Sequence, residues 1–180
     1  MQDLLRECRL CEKCTLAATR TNVVFGRGNE KARLLFVGEA PGAKEDESGL
    51  PFVGAAGKLL EKTLFETGFA EEDYYIANIV KCRPPENRDP TPAEVLACLP
   101  YLERQIEKMD PKFIVCLGRI SAMRLIKKDF RITREHGEVF CRRGRNILAV
   151  LHPAAILRDP RKKEAWQKDF EKIRRLLENE

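Results

Sequence analysis

The apolar positions of this chain fall into short unbroken runs separated by stretches of helical period. Leu34-Leu35-Phe36-Val37, stopped by Gly38, reads as a buried strand. Residues 74–80 and 113–117 read as two more. Residues 147–151 form a fourth run, joined to Val139-Phe140-Cys141 through a turn at Arg143-Gly144-Arg145. Between these runs, Leu59, Leu60, Thr63 and Leu64 make a helical stripe over about residues 54–65, with Gly68 as its C-cap. Thr91-Pro92-Ala93-Glu94 combines a capping box with proline at the first helical position. A helix starts there and continues through Leu96, Leu99, Leu102 and Ile106. Pro100 kinks or restarts it, because proline has no amide hydrogen to donate. Residues 120–126 form a helix after Gly118. A charged amphipathic helix over about residues 161–178 puts Trp166, Phe170, Ile173 and Leu177 on one face. Uniformly apolar strands alternating with helices imply an α/β protein whose parallel sheet is covered on both faces. Ligands of such sheets bind beyond the strand C-termini. Residues 38–42, 78–85 and 152–158 all fall at such ends.

Composition narrows the class. A chain of 180 residues makes one ordinary domain, spanning 1–180. It buries roughly 70% of the surface its unfolded form exposes, so a core needs neither disulfide nor metal. With 43% hydrophobic and 34% charged residues it is neither disordered nor collagen-like. Its apolar runs fall far short of the roughly 20 residues that span a bilayer. The first nine residues carry Asp3, Arg6 and Glu7 and no apolar segment, so no secretory signal is read and a cytoplasmic protein is expected. The net charge of +5 permits a polyanionic partner without requiring one. Charge-rich composition with only 3 Met fits a thermophile.

The chemistry begins with the cysteines. Seven is an odd number, and in a reducing compartment clustered cysteines point to metal ligation. Cys11-x-x-Cys14 followed by Cys82 and Cys98 can close a four-thiolate site for zinc or an iron–sulfur cluster. The competing reading makes Cys82 and Cys98 ordinary buried cysteines. Cys8 extends the N-terminal group to C-x-x-C-x-x-C, so Cys8 or Cys11 is spare. Cys116 reads as core, and Cys141 carries no signal. The turn Gly38-Glu39-Ala40-Pro41-Gly42 lets a ligand approach the backbone, but no Gly-Lys-Ser/Thr follows to make it a Walker A loop. Glu39 there is a carboxylate at a strand end, where solvation is poor. Phe52, in a loop marked by Pro51 and glycines, is either a stacking platform for a flat ring or a core plug. Asn78 breaks an apolar strand and must find polar partners. His152 follows a strand and precedes Pro153.

Taken in order, Cys11-x-x-Cys14-x-Leu16, residues 20–24 (Arg-Thr-Asn-Val-Val), residues 38–42, Pro51-Phe52-Val53-Gly54, residues 78–85 (Asn-Ile-Val-Lys-Cys-Arg-Pro-Pro) and residues 152–158 (His-Pro-Ala-Ala-Ile-Leu-Arg) cover nearly the whole chain. In these segments it resembles the family 4, iron–sulfur uracil-DNA glycosylases. The resemblance implies a three-layer α/β/α sandwich with a central, mainly parallel four-stranded sheet. It implies a [4Fe-4S] cluster rather than zinc, held by Cys11, Cys14, Cys82 and Cys98 in a segment that includes about residues 1–30, with Cys8 extra. Glu39 becomes the acid that orients water and stabilises charge on the sugar, and His152 the donor to the departing base. Asn78 pairs with the uracil edge, Phe52 stacks on it, backbone amides of Ala40 and Gly42 complete the pocket, and Glu45 blocks the 5-methyl group of thymine. Lys81, Arg83, Arg88, Arg134 and Arg158 are expected to contact DNA, with Ile156 and Leu157 as an apolar wedge. The segment Arg134-Glu135-His136-Gly137 departs from the basic pattern usual at this loop. A related cluster-containing branch links a histidine in this region to the DNA sugar. This chain lacks that branch's basic insert and has Ala40 after Glu39, so trapping by His136 is not expected. The expected partner is uracil-containing DNA, single- or double-stranded, with a sliding clamp or polymerase as a further partner, no membrane, and a monomeric chain. Two alternatives are the same scaffold acting on other deaminated bases, and a non-catalytic iron–sulfur nucleic-acid-binding protein.

Overall fold

The computed structural model describes residues 1–179. Their strands pair into one six-stranded sheet in the order β1-β3-β2-β4-β6-β5, with β1 at Arg27–Gly28, β2 at Leu34–Gly38, β3 at Tyr74–Asn78, β4 at Phe113–Leu117, β5 at Val139–Arg142 and β6 at Arg145–Val150. The four inner strands are parallel, as expected from their continuous apolar runs. The two edges are antiparallel additions, so the sheet has six strands where four were expected. β5 joins β6 through Arg143 and Gly144, both at positive φ (50° and 76°), the backbone a two-residue hairpin turn requires. β1 is only two residues long and carries no pattern a sequence reading could find.

Successive residues of each inner strand point to opposite faces and find different helices. On one face, Leu35, Val37, Ile114 and Ala149 meet α1 (Gln2–Arg9), α4 (Pro92–Met109) and Ala122 of α5 (Arg119–Leu125). On the other, Leu34, Phe36, Val115 and Leu148 meet α3 (Ala55–Glu66), α7 (Pro153–Arg158) and α8 (Lys163–Glu178). Two shorter helices, α2 (Ala43–Ser48) and α6 (Ile132–Glu135), lie in the connections. The result is the expected α/β/α sandwich. On α8, Trp166, Phe170 and Ile173 are buried as the pattern predicts, and Phe170 stacks on Phe36 with ring centroids 5.9 Å apart.

α4 corrects two expectations. Its buried face is Val95, Cys98, Tyr101, Leu102, Gln105 and Met109, whereas Leu96 is exposed. The helix also runs unbroken through Pro100. Pro100 sits on the solvent side, where water can satisfy the carbonyl that its missing amide leaves unpaired. The capping box is formed: Glu94 N donates to Thr91 Oγ1, and Thr91 N donates to Glu94 Oε2.

The chain leaves β2 toward β3 on one side and β4 toward β6 on the other. The loops after β2 and β4 therefore diverge and open a crevice at the C-terminal edge of the sheet.

Candidate active site

That crevice is a cleft of about 610 Å³, in the range of small-molecule sites. It is lined from four strand ends: Glu39, Ala40 and Gly42 after β2, Asn78 at the end of β3, Gly118 and Arg119 after β4, and His152 after β6. Phe52 reaches into it from a loop, Glu45 from α2 and Arg158 from α7.

Asn78 is 1% exposed, and its Oδ1 has no hydrogen-bond partner. A buried amide oxygen without a donor costs about 1–3 kcal/mol, so its retention calls for a ligand that donates. The space around it is kept by an absent side chain. A Cβ on Gly38 would collide with Asn78 Oδ1 and come within 2.7 Å of the Phe52 ring. The amide and the aromatic ring thus flank a slot floored by glycine.

Phe52 holds its place at a cost. Its φ of 54° is left-handed, a conformation bulky residues avoid. Three interactions enforce it. Arg27 donates to the carbonyls of Pro51 (2.8 Å) and Phe52 (3.1 Å) and is itself paired with Glu61. Glu45 Oε1 accepts the amides of Val53 (2.9 Å) and Gly54 (2.8 Å). Gly57 lies so close beneath that a Cβ there would overlap the Phe52 carbonyl. The Phe52 ring lies 5.9 Å from the His152 imidazole, so the two flank the same space.

The electrostatics divide two roles. Burial pushes the Glu39 carboxyl up to about 7, reinforced by the Asp89 carboxyl within hydrogen-bonding reach and opposed by Arg119. Burial lowers His152 to about 4, with Arg158 adding to the effect, so its imidazole is neutral at physiological pH. His152 Nδ1 accepts the Ala154 amide at 3.1 Å, capping α7. A neutral ring that accepts at Nδ1 carries its proton on Nε2, which makes Nε2 a donor. The strand end before it is anchored by Trp166, whose indole donates to the Leu151 carbonyl at 2.9 Å.

Two expected DNA contacts are overturned. Lys81 is completely buried: its ammonium donates to the Asn78 carbonyl (2.9 Å) and to Gln105 Oε1 (2.5 Å), and lies 5.8 Å from the Phe25 ring centroid. It cannot reach a phosphate. Ile156 is 3% exposed and packs in the core beneath α7, which leaves Leu157, 48% exposed, as the apolar residue at the surface. Arg88 lines the cleft and also grips Glu94 through two hydrogen bonds of 2.9 and 2.7 Å. Arg83 donates to Asn87 Oδ1 beside it. Arg134 is exposed on α6 but does not line the cleft, and next to it His136 pairs with Asp169 at 2.7 Å. Asp89 and Arg119 were missed from the sequence. Both follow segments already marked, the 78–85 loop and the end of the third strand.

A second, smaller cavity lies between α1, α4 and the turn after β3. Cys8, Cys11, Cys14, Cys82 and Cys98 all line it, with Arg20 and Lys81. Cys98 Sγ accepts the Lys81 amide at 3.2 Å, and Cys82 Sγ accepts from Arg20 at 3.5 Å. Five free thiols with N–H donors and two cations around them form a donor set that suits an anionic thiolate centre. Among the described residues no group is gathered tightly enough to hold a single metal ion. Cys116 is buried in β4, as expected of a core residue, and Cys141 is exposed.

Comparison with known proteins agrees with this geometry. A model of the uracil DNA glycosylase superfamily matches residues 25–177. The chain is similar to the type-4 uracil-DNA glycosylase of Archaeoglobus fulgidus, with 50% identity over 181 residues, covering 96% of this chain and 91% of that one. It is 45% identical to the type-4 enzyme of Saccharolobus solfataricus over 95% of this chain and 83% of that one. It is 44% identical to that of Sulfurisphaera tokodaii over 98% and 84% respectively.

Proposed function

The chain belongs to the uracil DNA glycosylase superfamily, and from that premise and the cleft we propose that it hydrolyses the N-glycosidic bond of deoxyuridine in DNA, releasing uracil and leaving an abasic site. The unpaired Oδ1 of Asn78 carries the reading. Uracil offers a donor at N3–H and an acceptor at O4, so Oδ1 accepts the first and the side-chain NH2 donates to the second. Cytosine presents the opposite pattern and would leave buried groups unsatisfied, a mismatch that discriminates by about 10⁴ or more in sites built this way. The base must leave the stack to enter. Phe52 then stacks on its face. Glu45 fixes the loop that carries Phe52 and borders the site where a 5-methyl group would sit.

Hydrolysis follows from the charges. As the C1′–N1 bond breaks, its electron pair passes to the base, and the His152 Nε2–H donates to O2 where negative charge collects. The Glu39 carboxylate faces the opposite charge. It orients a water toward C1′, stabilises the oxocarbenium-like sugar, and accepts the proton as the new C–O bond forms. Among the described residues no lysine lines the cleft to form a Schiff base, so the reaction stops at the abasic site without strand cleavage. Arg88 and Arg158 border the cleft for phosphate contact, Arg83 stands behind Asn87 at its edge, and Leu157 is the wedge.

Cys11, Cys14, Cys82 and Cys98 would hold a [4Fe-4S] cluster. Five thiols lining one cavity, with Arg20 and Lys81 beside them, support that reading. When bound, such a group ties the N-terminal segment to α4 and to the turn that follows Asn78.

A single-turnover assay on duplexes with one uracil, hypoxanthine or xanthine tests the function, with alkali resolving the abasic site. Release of uracil at least 100-fold faster than the others is expected. Absence of uracil release by iron-loaded protein would refute it.

A further inference from the structure

The thiolate cavity holds one cysteine more than a four-iron cluster uses, since such a cluster takes four thiolates. Cys8 is that extra thiol by sequence position, yet in the structure it is the most deeply buried of the three N-terminal cysteines. It lies in the last turn of α1 and is 1% exposed, whereas Cys11 and Cys14 are half-buried. Cys8 shares the buried cluster that contains Cys82 and Cys98, while Cys11 and Cys14 pack against the rim of that cluster. The Cys11 amide donates to the Cys8 carbonyl at 3.2 Å, so one tight turn carries both side chains to the same wall. Both line the cavity.

We propose that Cys8 is a reserve ligand, able to take the iron position that Cys11 vacates when the Cys11 thiolate is removed. The inference rests on the cluster reading above. The exchange needs no oxidant or reductant: the Cys8 thiol gives its proton to water and its thiolate forms the new S–Fe bond at the open iron. Little movement of the backbone is required, because Cys8 already faces the cavity from the preceding turn.

The experiment compares full-length wild type, Cys8→Ala, Cys11→Ala and the double variant, purified anaerobically, for iron, acid-labile sulfide and visible absorption. Wild type, Cys8→Ala and Cys11→Ala are expected to hold equal iron and sulfide. The double variant is expected to retain less than a tenth. Loss of iron from Cys11→Ala while Cys8→Ala stays loaded would overturn the proposal. So would an insoluble Cys11→Ala chain, a [3Fe-4S] EPR signal in place of the four-iron spectrum, or a double variant that remains loaded. Wild-type protein without iron would instead overturn the cluster reading itself.

Discussion

Replacing Glu39 with glutamine should make the protein more stable at high pH while abolishing its activity. Burial and the nearby Asp89 carboxyl raise Glu39 from 4.5 to about 7. A raised acid means the folded chain binds this proton more tightly than the unfolded chain does. Its contribution is therefore present in full below about 4.5 and is lost as pH rises through about 7. Each unit is worth about 1.4 kcal/mol, and because Glu39 is only partly buried, solvent screens part of the shift, so ionising it in place costs the fold about 1–2 kcal/mol at pH 8. Glutamine removes that cost without a large change in shape. For a chain of this size about 1–2 kcal/mol corresponds to a rise of roughly 2–8 °C in Tm. Thermal unfolding of equally iron-loaded wild type and Glu39→Gln, at about pH 4 and about pH 8, measures it. The gain should appear at the higher pH and vanish at the lower. Uracil release should tell the same story. If the carboxylate is the working form, wild-type kcat/KM falls about tenfold per pH unit below about 7. Asp89→Asn should move that limb to lower pH, because it removes a negative neighbour. An equal Tm change at both pH values, or an acid limb indifferent to Asp89, would refute the reasoning.

Three further outcomes test the supporting structure. Glu94, held down to about 2 mainly by its bonds to Arg88 and also bonded to Thr15 and Thr91, contributes stability present above about 4.5 and lost as pH falls toward 2. Because Arg88, its main partner, is solvent-exposed, Glu94→Gln should cost about 1–2 kcal/mol at neutral pH, read by denaturant unfolding, and much less near pH 2. Gly38→Ala should raise KM for uracil DNA at least tenfold and lower Tm, since its Cβ would press on buried Asn78 Oδ1 and the Phe52 ring. Unchanged KM would show that the base does not lie there. Lys81→Met strips the Asn78 carbonyl and Gln105 of a buried donor, at about 1–3 kcal/mol each, and should lower both Tm and uracil kcat/KM. A neutral effect would mean that relief from burying the ammonium offsets both lost bonds.

The parts of this protein that were legible in the sequence are those whose signals are local. Four apolar runs became the four parallel strands, and the rule that ligands sit beyond strand C-termini located Glu39, Asn78 and His152 correctly in one cleft. The errors arose where long-range packing decides. Lys81 looks like any basic residue in a basic loop, but Gln105 from α4 and the Asn78 carbonyl give its ammonium internal partners. Ile156 and Leu157 are adjacent apolar residues, and only the placement of α7 over the core determines which of them faces solvent. The stripe on α4 was misread at Leu96, which looks apolar enough to be core but is exposed, whereas Glu94 and Gln105 are buried, each with a partner distant in sequence. β1 was invisible because two residues carry no period. The strain at Phe52 was equally hidden, since only the structure reveals a positive φ at a residue that avoids it.

The most direct test of the account is whether Asn78 reads the base. Single-turnover release should be measured for wild type and Asn78→Asp on duplexes that differ only in carrying uracil or cytosine at one position, with iron content matched. The account predicts rapid uracil release and no cytosine release by wild type. It also predicts loss of about 10⁴ in uracil activity on substitution, with any remaining activity shifted toward cytosine. Uracil release by Asn78→Asp at close to the wild-type rate would contradict it, because the buried oxygen would then have no part in recognising the base.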